Sequence, residues 1–308
     1  MMQALAFPIP VVCPSCRAAA LQSDGITIRC AACDSEFRMT EGFVDLILGE
    51  RFTDDSDETC QCYEEVSNAH TVEHYWIPLF KRLFAELGRR PRILAVGCGT
   101  GVEVDKLHEA GFDAVGIEIG DRTRSWPRRQ ARDWLMLANG MHMPFADDSF
   151  DAVFCGCVFP HLGVVGDSFV VTERYREDRL AMAREMVRVA RPGGHIVTSS
   201  PNRHFPFDIF HGREPGSYRP RVNWPGSRFL LSVEDYRTML RDAGCDRVAA
   251  EPADGYWGFV RSKHSLKGML LGAPVRLLFW LTSLEPMRFL RGSVLAPWLV
   301  VHAIKPSR

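Results

Sequence analysis

The sequence has no uninterrupted run of the roughly 18 apolar residues that a membrane-spanning helix requires. The closest candidate, residues 269–284, is shorter and contains Pro274 and Arg276. The first residues lack the basic segment of a secretory signal, and no low-complexity stretch occurs. These absences argue against a membrane-spanning, secreted or disordered protein, and we expect a globular protein of the cytoplasm.

The chain also lacks an overall excess of charge, since its formal net charge is −1. The distribution is nevertheless uneven. Residues 261–308 contain eight Lys or Arg and a single acid, Glu285, for a charge of +7, so that the first 260 residues carry −8. A basic C-terminal part on an acidic body predicts an anionic substrate or partner near that part.

Ten cysteines are present, and four of them form two CxxC pairs separated by 13 residues. The spacing within each pair lets both thiolates reach one ion, and four thiolates suit a closed, tetrahedral and structural Zn²⁺ site. A redox function is the alternative for a single CxxC pair. The predicted zinc ligands are Cys13, Cys16, Cys30 and Cys33, within a zinc ribbon that spans residues 1–49.

An acidic stretch follows the predicted ribbon. Residues 50–65 contain seven carboxylates and Arg51 as the one base, which is typical of an exposed linker, and we place this linker over residues 50–73. Cys60 and Cys62 lie within it and are interpreted as thiols without a metal. Apolar residues spaced by four then predict an amphipathic helix over residues 74–87.

A glycine-rich loop follows a short apolar run at residues 92–96. The loop reads Gly97-Cys98-Gly99-Thr100-Gly101 and precedes a predicted helix and a second apolar strand that ends near Glu118. A strand, a glycine turn, a helix and a second strand form a βαβ unit, which predicts a doubly wound, mostly parallel α/β sheet with a ligand at the carboxyl ends of its strands. The third glycine comes one residue too early for a dinucleotide motif, so NAD is disfavoured, whereas Glu118 can accept both hydroxyls of a ribose.

Four further segments extend this pattern. They resemble, in the family's order, the conserved blocks of class I S-adenosylmethionine (SAM)-dependent methyltransferases of the methyltransferase type 11-like kind: residues 139–154, 182–202, 231–248 and 296–306. The resemblance implies a seven-stranded Rossmann-like sheet over residues 74–308, with insertions at about 203–230 and 257–295. The N-terminal segment is similar to zinc ribbons that precede such domains, including those of ribosomal RNA guanine methyltransferases.

The resemblance also implies which residues bind SAM. The backbone of residues 97–101 would lie against its methionine and ribose, and Glu118 would accept the ribose hydroxyls. The cofactor-binding residues so implied are Gly97, Cys98, Gly99, Gly101, Glu118, Ile119, Asn139, Gly140, Met141 and Cys155. The family normally has an acid where Ala95 stands, an acid that helps to organise the methionine ammonium, and this chain lacks it.

The predicted activity is methyl transfer to a small-molecule, saccharide or lipid-linked acceptor, on oxygen. A hydroxyl acceptor requires removal of a proton, and His161, His204 and His211, with Asp208 nearby, are the candidate catalytic residues. The insertion at 257–295 is expected to cover the acceptor or to make peripheral contact with a membrane, or else to be a plain helical cap. Nucleic acid is not an expected partner because residues 1–50 carry a charge of −3. The alternatives are an RNA base methyltransferase and a non-catalytic interaction protein.

Overall fold

The computed structural model of the protein describes residues 2–49, 58–165, 168–211, 221–224, 226–259 and 266–307. Five short strands form the N-terminal ribbon: β1 (Gln3–Ala4), β2 (Leu21–Ser23), β3 (Thr27–Cys30), β4 (Glu36–Thr40) and β5 (Phe43–Asp45). Consecutive strands of the ribbon pair antiparallel. The reversal between β2 and β3 falls on the turn-forming pair Asp24-Gly25, where the Asp24 carboxylate accepts the backbone amides of Ile26 and Thr27.

The main domain begins with a helical segment and continues as alternating strands and helices. Its elements are α1 (Glu58–Thr71), a π-helical turn (Val72–Trp76), α2 (Ile77–Leu83), β6 (Arg92–Val96), α3 (Val102–Glu109), β7 (Asp113–Glu118), β8 (Leu135–Leu137), β9 (Phe150–Gly156), α4 (Tyr175–Val189), β10 (Ala190–Pro201), β11 (Phe207–Asp208), β12 (Arg221–Val222), α5 (Val233–Asp242), β13 (Asp246–Glu251), α6 (Leu266–Ser283) and β14 (Trp298–Ile304). Short 3₁₀ segments lie at Asp121–Arg128, Arg132–Trp134, Phe159–His161 and Glu285–Leu290.

The main sheet has the strand order β1-β2-β3-β4-β5-β8-β7-β6-β9-β10-β14-β13. The strands from β5 to β10 along this order are mutually parallel, and β14 runs antiparallel between β10 and β13. Strand β6 is central, and its residues Ile93 to Val96 are buried because helices cover both faces. The order along the sheet changes direction at β6 and β9, where a doubly wound sheet binds its ligand.

The described residues form twelve strands in this sheet, of which seven (β6 to β10, β13 and β14) belong to the main domain and five (β1 to β5) belong to the ribbon. The ribbon is joined to the main domain, because β5 pairs with β8 at Asp45 and Leu137 and the Leu46 amide donates to the Leu137 carbonyl at 2.8 Å. The ribbon therefore extends the edge of the main sheet.

The acidic linker expected over residues 50–73 contains α1 from Glu58 onward. Residues 50–57 and the side chains of Cys60 and Cys62 lie outside the described part of the chain. The helix expected over 74–87 begins as the π-helical turn and ends earlier, at Leu83. Within the insertions, β11 pairs with β12, and α6 is the long helix of the second insertion. Among the described residues, no helix is both long and apolar enough to cross a bilayer.

Candidate functional site

The glycine loop, residues 97–101, connects β6 to α3 at the carboxyl edge of the sheet. Gly97, Gly99 and Gly101 have φ angles of +70°, +50° and +78°. A side chain at Gly97 would place its Cβ 2.5 Å from Val158 Cγ2, and one at Gly101 would place it 2.9 Å from Leu135 Cδ1. Both the backbone conformation and the close packing therefore require glycine here.

Aromatic and cationic side chains from the segment after β7 hold this loop. Trp126 Nε1 donates to the Gly99 carbonyl at 2.8 Å, and Arg129 Nε donates to the Thr100 carbonyl at 2.7 Å. The same segment pairs with α1, since Arg122 contacts Glu64 at 2.7 Å and Arg129 contacts Glu65 at 2.6 Å. Two carboxylates of the stretch that we expected to be a linker thus anchor α1 beside the loop.

Glu118 ends β7 opposite the glycine loop. Its Oε2 accepts the Gly99 amide at 2.9 Å, and its Oε1 accepts the amides of Ile119 at 2.7 Å and Gly120 at 3.1 Å. The carboxylate is therefore fixed in place, and Oε2, which accepts one amide, keeps acceptor capacity for a further donor. In the loop, Thr100 Oγ1 is buried and has no hydrogen-bond partner among the described residues. A fixed carboxylate, a buried hydroxyl without a partner among the described residues and a tight loop of three glycines with positive φ are features that fit a bound SAM.

A second carboxylate, Glu103, lies in the first turn of α3. Its side chain is 9% exposed. Burial, followed by the nearby charges of Glu118 and Glu64, raises the pKa of Glu103 to about 8. Sequence reasoning missed this residue, although its position directly after the glycine loop was a usable signal.

Asn139 is buried after β8 and connects the ribbon to the main domain. Its Nδ2 donates to the Leu48 carbonyl at 3.1 Å, and its Oδ1 accepts the Met141 amide at 2.9 Å. Gly140 packs close to Val96, since a Cβ there would lie 3.1 Å from Val96 Cγ1. These residues shape the turn at the end of β8, one strand beyond Glu118.

The two buried cysteines that we expected near the cofactor pack inside the domain. Cys98 Sγ lies against Gly116 of β7, where a Cβ would be 2.6 Å away, and Cys155 lies close to Thr198, with 3.4 Å between Sγ and Oγ1. Burial raises the pKa of the Cys155 thiol to about 12, so this thiol stays protonated at neutral pH.

Two of the three predicted histidines meet beyond the end of β9. His161 Nε2 lies 3.2 Å from His211 Nε2, and Cys157 Sγ lies 3.3 Å from the same His211 nitrogen. His204, by contrast, is exposed. We name Cys157, His161 and His211 the Cys–His–His cluster. Cys157 was missed because its partners are distant in sequence.

Asp208 contacts the ring nitrogen of His211 that faces away from the cluster, and so orients this ring. Its Oδ2 is 2.8 Å from His211 Nδ1 and accepts Arg221 Nη2 at 3.0 Å, and the carboxylate is fully buried. Although burial acts in the opposite direction, the contacts with His211 lower the pKa of Asp208 to about 2. Burial and the neighbouring His211 lower the pKa of His161 to about 3.

The cysteines of the two CxxC pairs in the ribbon converge as a second group, which we name the four-cysteine cluster. The sulfur atoms of Cys13 and Cys33 are 3.7 Å apart, and those of Cys16 and Cys30 are 3.6 Å apart. All four sulfurs lie within 4.8 Å of one another. Tetrahedral zinc with Zn–S bonds of about 2.3 Å requires sulfur separations of about 3.8 Å, so the arrangement fits a structural zinc ion.

Comparison with known proteins agrees with the geometry of the glycine loop. Residues 94–198 match the family described as "Methyltransferase domain". The match shows that this part of the chain, 105 of its 308 residues, is similar to a methyltransferase domain.

Two curated relatives and one solved structure illustrate the likeness. The chain is 32% identical over 128 residues to methyltransferase GfsG of Streptomyces halstedii, covering 39% of this chain and 40% of the relative. It is 32% identical over 196 residues to the glycine N-methyltransferase of Mus musculus, and the alignment covers 56% of this chain and 62% of the relative. The alignments thus span less than two thirds of these relatives. A structure of Haemonchus contortus phosphoethanolamine N-methyltransferase 2 with S-adenosyl-L-methionine aligns at 16% identity and a TM-score of 0.42, covering 75% of this chain and 52% of that one.

Proposed function

We propose that the protein transfers a methyl group from SAM to a hydroxyl oxygen of a small-molecule, saccharide or lipid-linked acceptor. The observation that carries this proposal is the facing arrangement of the glycine loop and Glu118, whose carboxylate accepts the Gly99 amide at 2.9 Å. When bound, SAM supplies a methyl group made electrophilic by the sulfonium, and transfer leaves the carbon–sulfur electron pair on sulfur while the acceptor oxygen loses its proton. The residues of the chain position the two reactants and exclude water.

Glu118 binds the ribose hydroxyls in this proposal, and Glu103 replaces the acid that is missing at Ala95. The charge of Glu118 helps to raise the pKa of Glu103, so the two carboxylates are near enough to interact and lie in the same region beside the loop. A cationic sulfonium or ammonium placed there would favour ionised Glu103, because opposite charges stabilise each other in a site of low dielectric constant.

An aromatic cluster beside His211 supports an acceptor that carries oxygen atoms. The rings of Phe210 and Trp257 are 4.8 Å apart, and that of Trp298 lies 4.7 Å from Phe210. Trp257 Nε1 and Trp298 Nε1 are buried with no hydrogen-bond partner among the described residues. A buried N–H without a partner is costly, so these indoles suit a ligand with hydroxyl or ether oxygens, such as a saccharide.

The zinc ion of the four-cysteine cluster has a structural role in this proposal. Four thiolates complete a tetrahedral site and leave no coordination position for a substrate. Because β5 pairs with β8, the ion would stabilise the edge of the main sheet as well as the ribbon.

The face formed by α6 and the following 3₁₀ segment supports contact with an anionic membrane surface. Leu277, Trp280 and Phe289 are 58%, 51% and 73% exposed there. Exposed apolar side chains with flanking cations, here Arg288 on the same 3₁₀ segment as Phe289, are typical of surfaces that lie on membranes. A lipid-linked acceptor would then be reached at the membrane.

Transfer of radiolabelled methyl from SAM to a panel of hydroxylated acceptors tests the activity. We expect incorporation that requires Glu118 and resists digestion by ribonuclease. Incorporation into RNA instead, lost on ribonuclease digestion, would contradict the proposed acceptor class.

Vesicle binding tests the membrane contact separately. The protein should sediment with vesicles of phosphatidylcholine and phosphatidylglycerol but not with phosphatidylcholine alone, and Trp280→Glu should abolish sedimentation. Equal sedimentation of the wild type and the variant would contradict this role for α6. Val222→Glu, at a similarly exposed position on β12, is the matched control.

A further inference from the structure

The Cys–His–His cluster brings three side chains that commonly ligate metals to a single point. Its members come from separate parts of the chain: Cys157 directly follows β9, His161 ends the next 3₁₀ segment, and His211 lies beyond β11. Their Sγ and two Nε2 atoms lie within 4.8 Å of one another. The three side chains meet because of the tertiary fold and not because of their spacing in the sequence.

The distances match those of a tetrahedral metal site. With Zn–N bonds of about 2.0–2.1 Å and a Zn–S bond of about 2.3 Å, tetrahedral angles give separations of about 3.4 Å between two nitrogens and about 3.6 Å between nitrogen and sulfur. The observed separations are 3.2 Å between the histidine nitrogens and 3.3 Å between Cys157 Sγ and His211 Nε2. Both observed values are within a few tenths of an ångström of those that an ion would require.

Asp208 supplies the support that a ligating histidine usually has. It contacts His211 at Nδ1, the ring nitrogen that does not face the cluster. A carboxylate on the far nitrogen fixes the ring orientation and leaves Nε2 free to bind a cation. The backbone amides of Phe210 and His211 donate to the other oxygen of Asp208, and Arg221 contacts the first, so the carboxylate itself is held in place.

The surroundings of the cluster are partly apolar. Phe229 is fully buried, and its ring centroid lies 5.4 Å from that of His161 and 5.1 Å from that of His211. Cys157 has a φ of +56°, which is rare for a residue with a side chain, and its amide donates to the Ser199 carbonyl at 2.8 Å. The fold thus directs this thiol toward the histidines at a cost in backbone strain.

The cluster is adjacent to the cofactor loop. Val158, the residue after Cys157, packs so closely on Gly97 that a Cβ there would be 2.5 Å from Val158 Cγ2. Cys157 therefore lies beside the loop, where β9 ends and next to the end of β10.

We propose that Cys157, His161 and His211 bind a second zinc ion, distinct from that of the ribbon, whose fourth coordination position is taken by the acceptor hydroxyl. Three protein ligands with one open position are typical of catalytic rather than structural zinc. The ion lowers the pKa of the hydroxyl, whose proton leaves to solvent water. The oxygen–carbon bond then forms as the sulfur–carbon bond of SAM breaks, with its electron pair on sulfur. The role of the ion in methyl transfer rests on the proposed function, whereas binding of the ion does not.

Zinc content of the purified full-length protein tests the site without any assay of activity. Cys157→Ser and His211→Gln should each contain one zinc per chain fewer than the wild type. His204→Gln, a histidine of the same loop that lies outside the cluster, should keep the wild-type content. The double variant Cys16→Ser, Cys33→Ser should lose the zinc of the four-cysteine cluster instead. A variant with substitutions in both clusters should therefore contain two zinc ions per chain fewer than the wild type. Equal zinc content in wild type, Cys157→Ser and His211→Gln would overturn the proposal.

A second measurement uses the wild-type protein and so does not depend on folding of a variant. After treatment with a chelator, alkylation of Cys157, located by mass spectrometry, should slow at least about tenfold when zinc is restored, since a ligated thiolate is shielded. Alkylation at an unchanged rate would also overturn the proposal. Calorimetry with SAM on the same samples separates the two proposals. A protein that binds SAM but no second zinc contradicts only the proposed metal site. A protein that binds a second zinc but no SAM contradicts only the proposed function.

Discussion

The two clusters of cysteine and histidine differ in how the chain builds them. The four-cysteine cluster is assembled from two tight turns within 21 residues, and its sulfur separations of 3.6 and 3.7 Å result from local geometry. The Cys–His–His cluster joins residues 157 and 211, which follow the parallel neighbours β9 and β10 and meet through the segment that contains β11. The first arrangement suits a structural ion that folds a small module, and the second suits a site that acts at the edge of the sheet where ligands bind.

The largest effect should follow from loss of the four-cysteine cluster. Cys13→Ala with Cys30→Ala removes two buried ligands, and structural zinc contributes folding free energy directly, so we expect a loss on the order of 5 kcal/mol in the free energy of unfolding. Thermal unfolding and limited proteolysis of residues 1–49 measure it. Stability within about 1 kcal/mol of the wild type would show that the ribbon folds without an ion.

The Cys–His–His cluster should affect turnover more than stability. His161→Ala should lower kcat at least about 100-fold, because the acceptor hydroxyl loses the group that assists its deprotonation. The Kd for SAM should change little, because the proposal assigns His161 to the acceptor and not to SAM. Steady-state kinetics and calorimetry measure the two constants, with His204→Ala as the matched control. Unchanged turnover in His161→Ala would remove this residue from the mechanism.

A change at Glu118 should affect the binding of SAM without affecting the binding of zinc. Glu118→Gln keeps the size of the side chain but weakens the charge-assisted hydrogen bonds to ribose hydroxyls, so the Kd for SAM should rise about tenfold while the zinc content stays unchanged. Glu109→Gln, an exposed glutamate at the end of α3, is the control. Equal SAM affinity in both variants would contradict the assignment of Glu118.

The smallest effect concerns pH. The pKa of Glu103 is raised from its ordinary 4.5 to about 8, so the folded protein holds a proton that the unfolded chain releases between these values. Stability without SAM should therefore fall as pH rises from about 4.5 to about 8, and Glu103→Gln should be the more stable protein at pH 8 by at least about 1 kcal/mol. Denaturant unfolding at acidic pH and at the upper end of this interval measures the difference. SAM affinity of the wild type should rise as the pH passes through about 8, where Glu103 ionises in the folded protein.

The sequence indicated the parts of the fold that depend on local patterns. The CxxC pairs predicted a cluster whose four sulfurs do converge, and the glycine loop between two apolar strands predicted the βαβ unit with Glu118 at its end. Pairing of β5 with β8 could not be predicted, because a three-residue strand carries no signal for its partner. The ion pairs of Glu64 and Glu65 with Arg122 and Arg129 were hidden for a similar reason, since an acidic stretch without apolar periodicity gives no sign of what it will contact.

In the candidate site, too, the sequence indicated the residue types but not the contacts that the tertiary fold creates. His161 and His211 were identified as residue types, but their separation of 3.2 Å and the involvement of Cys157 depend on the relative position of two loops after neighbouring strands. Asp208 was noted only as a neighbour in sequence, and its contact with His211 Nδ1 required the turn after β11.

Binding of SAM to the zinc-loaded protein tests the central claim most directly. Isothermal titration calorimetry should give one SAM bound per chain with a micromolar Kd, weakened about tenfold by Glu118→Gln and little changed by His161→Ala. Absence of detectable binding by the folded, zinc-loaded protein would contradict the account, because the facing arrangement of the glycine loop and Glu118 would then serve no cofactor.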